Sequence, residues 1–208
     1  MKYDAIIFDL DGTLWNANKS CTDAWNSFLG KKNYSKRITV AEMDAVTGTP
    51  VDKAIDLLLP GIRTEHKDIK NILTGFEKIF VGKNGGDLYP GVLSGINNLS
   101  QLCKIFIVSN CEEWYLKKFI EFSGLGGVLT GSDCYGSSGV DKYLMINNIK
   151  NRHNLSLVVY VGDTTHDQTA SKLSHCDFIQ MTYGFGKPIS DVVQCRTFIE
   201  LYNYLLSK

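Results

Sequence analysis

No net charge biases this chain toward a polyanion: 22 basic and 22 acidic residues cancel. That excludes the global field expected of a protein drawn to nucleic acid or to an anionic membrane surface. No uninterrupted apolar run approaches membrane-spanning length. The amino terminus, Met1-Lys2-Tyr3-Asp4, enters an apolar strand directly and lacks a signal-peptide layout, so the expected location is cytoplasmic. The cysteines (Cys21, Cys103, Cys111, Cys134, Cys176 and Cys195) form no Cys-x-x-Cys and no zinc-finger spacing with histidine. A disulfide framework is therefore not expected, and most of these thiols read as small, half-buried apolar residues. There is no internal repeat and no low-complexity tract.

What is present is ordinary for a globular protein: 44% hydrophobic and 21% charged residues over 208 positions, enough for one large domain or a core with an insert. Ala5 to Phe8 reads as a strand. From Trp15 to Gly86 only helical periodicity follows. Cys21 to Leu29 is one such stretch. Thr39-Val40-Ala41-Glu42 has the form of a capping box, Gly48 closes that helix, and Pro50 opens the next as its first residue. Pro60-Gly61 stops it, and Thr64 to Val81 reads as a single helix. Lys83-Asn84-Gly85-Gly86 reads as a hinge.

Beyond Leu88 strands alternate with helices. Strands are expected at 104–108, 128–130, 155–161 and 177–181, and helices at 90–102, 112–123, 141–151, 165–174 and 197–206. That alternation predicts an α/β fold: a Rossmann-like parallel sheet with helices on both faces. A small all-helical unit is inserted after the first strand. The expected division is residues 1–15 with 85–208 as the core and 16–84 as the insert.

In such sheets ligands bind at the carboxyl ends of the strands. Polar residues follow the apolar strands at three places: Asp9 and Asp11, then Ser109 and Asn110, then Asp163 with Asp167 four residues later. Alone, Asp9-Leu10-Asp11-Gly12 reads as a strand running into an acidic turn. Two carboxylates at a buried strand end also suit a hard cation with oxygen ligands, such as magnesium, and a carboxylate beside a metal can attack phosphorus. Lys142 opens a helix where its charge opposes the dipole, so helix stability does not explain it. Thr165 is a candidate cap for the helix after Asp163.

In this order and context the motifs resemble those of the haloacid dehalogenase (HAD) superfamily, in its phosphoglycolate-phosphatase-like subgroup. Asp9-Leu10-Asp11-Gly12-Thr13-Leu14 resembles its first motif, Val108-Ser109-Asn110 the second, Lys142 the third, and Gly162-Asp163-Thr164-Thr165-His166-Asp167 the fourth. Leu88-Tyr89-Pro90-Gly91-Val92 and Thr182-Tyr183-Gly184-Phe185-Gly186 are similar to segments of the subgroup too. The resemblance implies a magnesium-dependent phosphatase acting on a small phosphorylated metabolite through an aspartyl-phosphate. In that scheme Asp9 is the nucleophile and Asp11 the acid and base. Ser109 and Lys142 contact the transferred phosphoryl group, and Thr13 and Asn110 help to bind it. Magnesium lies against Asp9, the backbone carbonyl of Asp11 and Asp163, while Asp167 supports the site from behind. The insert resembles the family's cap, with Thr47, Gly48 and Thr49 as candidates for leaving-group contacts. Proline often follows the third-motif lysine in the family; here Tyr143 does, which makes Lys150 the fallback. His166 is expected to be a loop residue, because magnesium prefers oxygen. Phosphoglucomutase-like transfer, metal-free haloacid dehalogenation and a non-catalytic metabolite-binding regulator are the competing readings.

Overall fold

The run Ala5–Phe8 forms the first strand, β1, and every residue of it is buried. The computed structural model describes residues 1–208. The remaining strands are β2 (Trp15–Asn16), β3 (Asp87–Leu88), β4 (Lys104–Ser109), β5 (Gly131–Cys134), β6 (Val158–Gly162), β7 (Asp177–Met181) and β8 (Val193–Cys195). Six of them make one sheet in the order β5-β4-β1-β6-β7-β8, and every pairing in it is parallel. A parallel sheet must be covered on both faces, which is why its central strands are continuous apolar runs. Ala5 and Ile7 point to one face, where Phe106, Val108 and Tyr160 meet Met145, Ile146 and Ile149 of the helix Lys142–His153. On the other, Phe8 stacks on Phe198 of the closing helix Phe198–Leu206, with ring centroids 5.9 Å apart. The chain steps outward from β1 through β4 to β5, then returns to β6 on the other side of β1. The switch point of the sheet is therefore at β1, and the carboxyl ends of β1, β4 and β6 are adjacent.

Several expected boundaries move. The strand expected at 128–130 is instead β5 at Gly131–Cys134, after a short 3-10 turn at Leu125–Gly127. Val128-Leu129-Thr130 has the better β-propensity, but pairing decides: Phe106 to Ser109 of β4 align with Gly131 to Cys134. The 155–161 strand begins only at Val158, and the helix expected to reach 102 ends at Leu99. The edge strand β8 was not anticipated, being only three residues long.

The chain divides into two compact units, Met1–Trp15 with Leu88–Lys208, and Asn16–Asp87. The strands β2 and β3, where the chain crosses between them, pair with each other. The Asn16–Asp87 unit is helical, with helices at Asn18–Lys31, Val40–Val46, Val51–Leu58, Ile62–Glu65 and Ile69–Asn84. The helix expected over 64–81 is thus two, interrupted at residues 66–68. Pro50 precedes its helix instead of opening it, and the last helix runs through Lys83-Asn84, so that Gly85 alone ends it. Its core gathers Trp25, Phe28, Leu29, Ile55, Ile69 and Leu73. The indole of Trp25 donates to Glu77 at 2.7 Å.

The Thr39 capping box is present: Thr39 Oγ1 accepts from Glu42 N, and Glu42 Oε2 accepts from Thr39 N. Replacing Thr39 with Ala is expected to cost about 1 kcal/mol in urea unfolding, the ordinary worth of an N-cap. An unchanged midpoint would show that the box adds nothing to this short helix.

Candidate active site

The site grows from three strand ends. After β1 the backbone turns at Gly12, whose φ of +80° is the left-handed region. A side chain there would collide with the Asp163 carboxylate and with Phe185, so Gly12 permits both the turn and the approach of β6's end to β1's. Asp163 follows β6 and is fully buried. Its Oδ2 accepts from the backbone N–H groups of Phe185 and Gly186, at 2.7 and 3.2 Å. Its Oδ1 is buried and has no hydrogen-bond partner. An orphaned carboxylate oxygen in that position is costly unless a cation meets it.

Asp9, Asp163 and Asp167 are all buried, and one carboxylate oxygen from each lies within 4.8 Å of the others. Lys142 is buried among them. Its ammonium donates to Asp9 Oδ1 at 2.7 Å and to Asp167 Oδ1 at 2.6 Å. Burial would lower the Lys142 ammonium, but Asp167 and Asp9 outweigh that and hold it well above its ordinary value. Asp167 is likewise penalised by burial, yet the Lys142 charge and the donors of Lys142 and Thr164 keep it below the usual carboxylate range. One lysine does not balance three acids. Burial, reinforced by Asp167, pushes Asp9 well above the usual carboxylate range and Asp163 up to about 7. This is the electrostatics of a site with room for further positive charge, and an all-oxygen donor set suits magnesium.

Asp167 has a second task. Its Oδ2 accepts from Thr164 N at 2.9 Å and Thr164 Oγ1 at 2.7 Å, and the Thr164 hydroxyl in turn accepts from Asp167 N. The cap of the helix Thr165–Leu173 is therefore Thr164, not Thr165, in a reciprocal capping box. Asp11 stands apart from the three-acid cluster. It is half-buried, and its Oδ1 accepts from the Tyr115 hydroxyl at 2.5 Å. Burial lifts its carboxyl to about 6 against that hydrogen bond.

Among the other expected residues, Ser109 ends β4, is buried, and accepts from Cys111 N through its hydroxyl. Thr13 is fully buried, its hydroxyl without a partner and its carbonyl held by the Tyr183 hydroxyl at 2.6 Å. Asn110 and His166 are exposed. Lys150 donates to the Ser174 carbonyl at 2.6 Å, so it is Lys142 that meets the carboxylates. Gly48 and Thr49 belong to the helical unit. Gly48 turns with φ +84°, and the Thr49 hydroxyl donates to Val46 O at 2.6 Å. The Thr47 hydroxyl donates to Met43 O and accepts from Asn18.

Three contributors escaped the sequence reading. Tyr115 reaches Asp11 across 104 positions. Tyr160 lies under Lys142 and donates to Val108 O. Gln180, fully buried, donates to the carbonyls of Asp163 and Lys187 and so ties the fourth-motif loop to the segment after β7.

The family model for haloacid dehalogenase-like hydrolases matches residues 6–181. No curated protein matches the chain. Among solved structures, a haloacid dehalogenase-like family hydrolase from Streptococcus pneumoniae is 18% identical, with a TM-score of 0.85 over 98% of each chain. A predicted phosphoglycolate phosphatase from Haemophilus somnus is 19% identical, with a TM-score of 0.84 over 99% of each. A predicted phosphatase from Clostridium acetobutylicum is 16% identical, with a TM-score of 0.79 over 99% of each. At these identities the structures speak for the fold alone; the family match covers most of the chain and runs through the strand ends that carry the acids. The chain belongs to the haloacid dehalogenase-like hydrolases.

Proposed function

We propose that the protein is a magnesium-dependent phosphatase that hydrolyses a small phosphomonoester through an aspartyl-phosphate on Asp9. The observation that carries this reading is the buried cluster of Asp9, Asp163 and Asp167 around Lys142 at the switch point of the sheet. Names of similar structures, phosphoglycolate phosphatase among them, support the reaction class and leave the leaving group open.

Asp9 and Asp163, with the backbone carbonyl of Asp11, would hold the cation. When bound, it would offset the negative charge between the phosphoryl oxygens and the attacking carboxylate. Lys142 donates to Asp9 Oδ1, which makes Oδ2 the proposed attacking oxygen. A bond forms from Oδ2 to phosphorus, the ester P–O bond breaks, and the leaving alkoxide takes a proton from Asp11. Water then attacks the phosphorus of the acyl phosphate and gives its proton to Asp11. The P–O bond to Asp9 breaks, which releases phosphate and restores both carboxyl groups. Ser109 and the Lys142 ammonium stabilise charge on the transferred group. The helical unit is the proposed cap.

A magnesium-dependent phosphate-release screen over sugar phosphates, nucleotides and short phospho-acids tests the reading. Release to water, with no phosphoryl group retained on a sugar, separates hydrolysis from mutase chemistry. Asp163→Asn supplies a sharper check. The Phe185 and Gly186 N–H groups require an acceptor at the Oδ2 position, so the new amide NH2 must take the Oδ1 position and face the cation. Half-activation should then need at least about 100-fold more magnesium, beyond what loss of a supporting residue costs. An unshifted magnesium titration would remove Asp163 from the metal site.

A further inference from the structure

Tyr115 is the third residue of the helix Glu113–Ser123, which begins just after the loop that follows Ser109. It is 8% exposed, and its ring is held edge-on by two indoles: Trp15 at 5.4 Å and 69°, and Trp114 at 5.6 Å and 89°. Trp15 is itself fixed against Phe119, one helical turn further on, at 5.2 Å. The phenol therefore has little rotational freedom, and its hydroxyl is delivered to Asp11 Oδ1 at 2.5 Å. Packing between the two indoles would be served as well by phenylalanine. The hydroxyl is what needs a reason.

We infer that Tyr115 is a positioning residue for Asp11: its O–H occupies Oδ1, so that the proton exchanged in catalysis is carried by Oδ2. This rests on the phosphatase reading of the site. A carboxylate on a turn can rotate about its Cβ–Cγ bond and offer either oxygen. A rigid donor on one oxygen fixes the plane of the group and the identity of the exchanging atom, which is the preorganisation that general acid–base chemistry needs. In the first half-reaction the Oδ2 proton passes to the leaving alkoxide as the ester bond breaks. In the second, Oδ2 takes a proton from the attacking water. Tyr115 keeps its own proton throughout. The strand-to-helix segment that ends β4 thus provides Ser109 for the phosphoryl group and Tyr115 for the acid–base, so both are set by one piece of backbone.

The test uses the full chain with magnesium, Tyr115→Phe, and two esters: an alkyl phosphate, whose leaving group must be protonated, and p-nitrophenyl phosphate, whose leaving group need not be. On the alkyl ester kcat should fall about 10- to 100-fold, the range for losing one hydrogen bond to a charged group, with KM and the melting temperature little changed. The drop on the aryl ester should be smaller. In an Asp11→Asn background the second substitution should add no further loss, because the route by which it acts is already gone. An unchanged kcat for Tyr115→Phe overturns the inference. So does an equal loss in the Asp11→Asn background, or a loss that follows a fall in melting temperature. If the parent releases phosphate from neither ester and Asp9→Asn behaves like it, the phosphatase reading falls and this role falls with it. An active parent silenced by Asp9→Asn, together with a fully active Tyr115→Phe, defeats the Tyr115 role alone.

Discussion

Asp9→Asn should abolish phosphate release, with kcat down by about 10⁴-fold or more, while the protein folds as well as the parent. The first half follows from nucleophilicity: an amide oxygen does not attack phosphorus usefully, and losing a covalent nucleophile is among the largest single effects in enzymes. The second half follows from the cluster. Asn is nearly isosteric, and its carbonyl can still accept from Lys142 where Oδ1 now does. The substitution also removes one of three mutually repelling buried acids, the one that burial and its neighbours Asp167 and Asp163 push upward. The experiment is a paired one. Steady-state phosphate release is measured beside an acid-quenched incubation with labelled substrate, in which the parent should retain label on protein and Asp9→Asn should not. Full activity in Asp9→Asn, or equal labelling of both proteins, would move the nucleophile elsewhere.

Lys142→Met should be the opposite kind of variant, in which the fold itself suffers. Lys142 is 9% exposed and binds two buried carboxylates at 2.6 and 2.7 Å. Removing one partner of such an arrangement leaves charge buried without compensation, which typically costs about 3–5 kcal/mol. Methionine matches the stem of the lysine, so a cavity contributes little and the loss reports the charge. Urea unfolding in metal-free buffer should show it as a lower midpoint at constant slope. Added magnesium should recover part of it, because a cation that binds the folded cluster and not the unfolded chain stabilises by mass action. Unchanged stability would mean that the ion pairs contribute nothing; loss without recovery by magnesium would argue against a cation at these carboxylates.

The contrast between these two residues explains what was legible in the sequence. Asp9 and Asp163 follow apolar strands, where a charged residue is conspicuous. Lys142 was visible because a cation in a helix's first turn needs some other reason to be there. The α/β class was equally readable, since alternating strand and helix periods leave few architectures. The misplaced features depend on pairing and not on local pattern. Val128-Leu129-Thr130 lost to Gly131-Ser132-Asp133-Cys134 because β4 selects its neighbour by register. Thr165 lost to Thr164 because Asp167 sits at the third helical position counted from Thr164. The N–H donors of Phe185 and Gly186 have no side-chain signature, and Tyr115 looked like any other apolar-face residue of its helix.

The position of β1 in the sheet also governs how the molecule can be made. It precedes every other strand of its sheet in the sequence, yet Ala5 pairs with Lys104 on one side and Val158 on the other. Such distant closures are slow, and until the second is available one edge of an entirely apolar strand stays open to wrong partners. A nascent chain emerging from the ribosome carries Asp9 long before it carries Asp163, and no shorter product can assemble the acid cluster. The helical unit has no such wait, because all its residues precede β4.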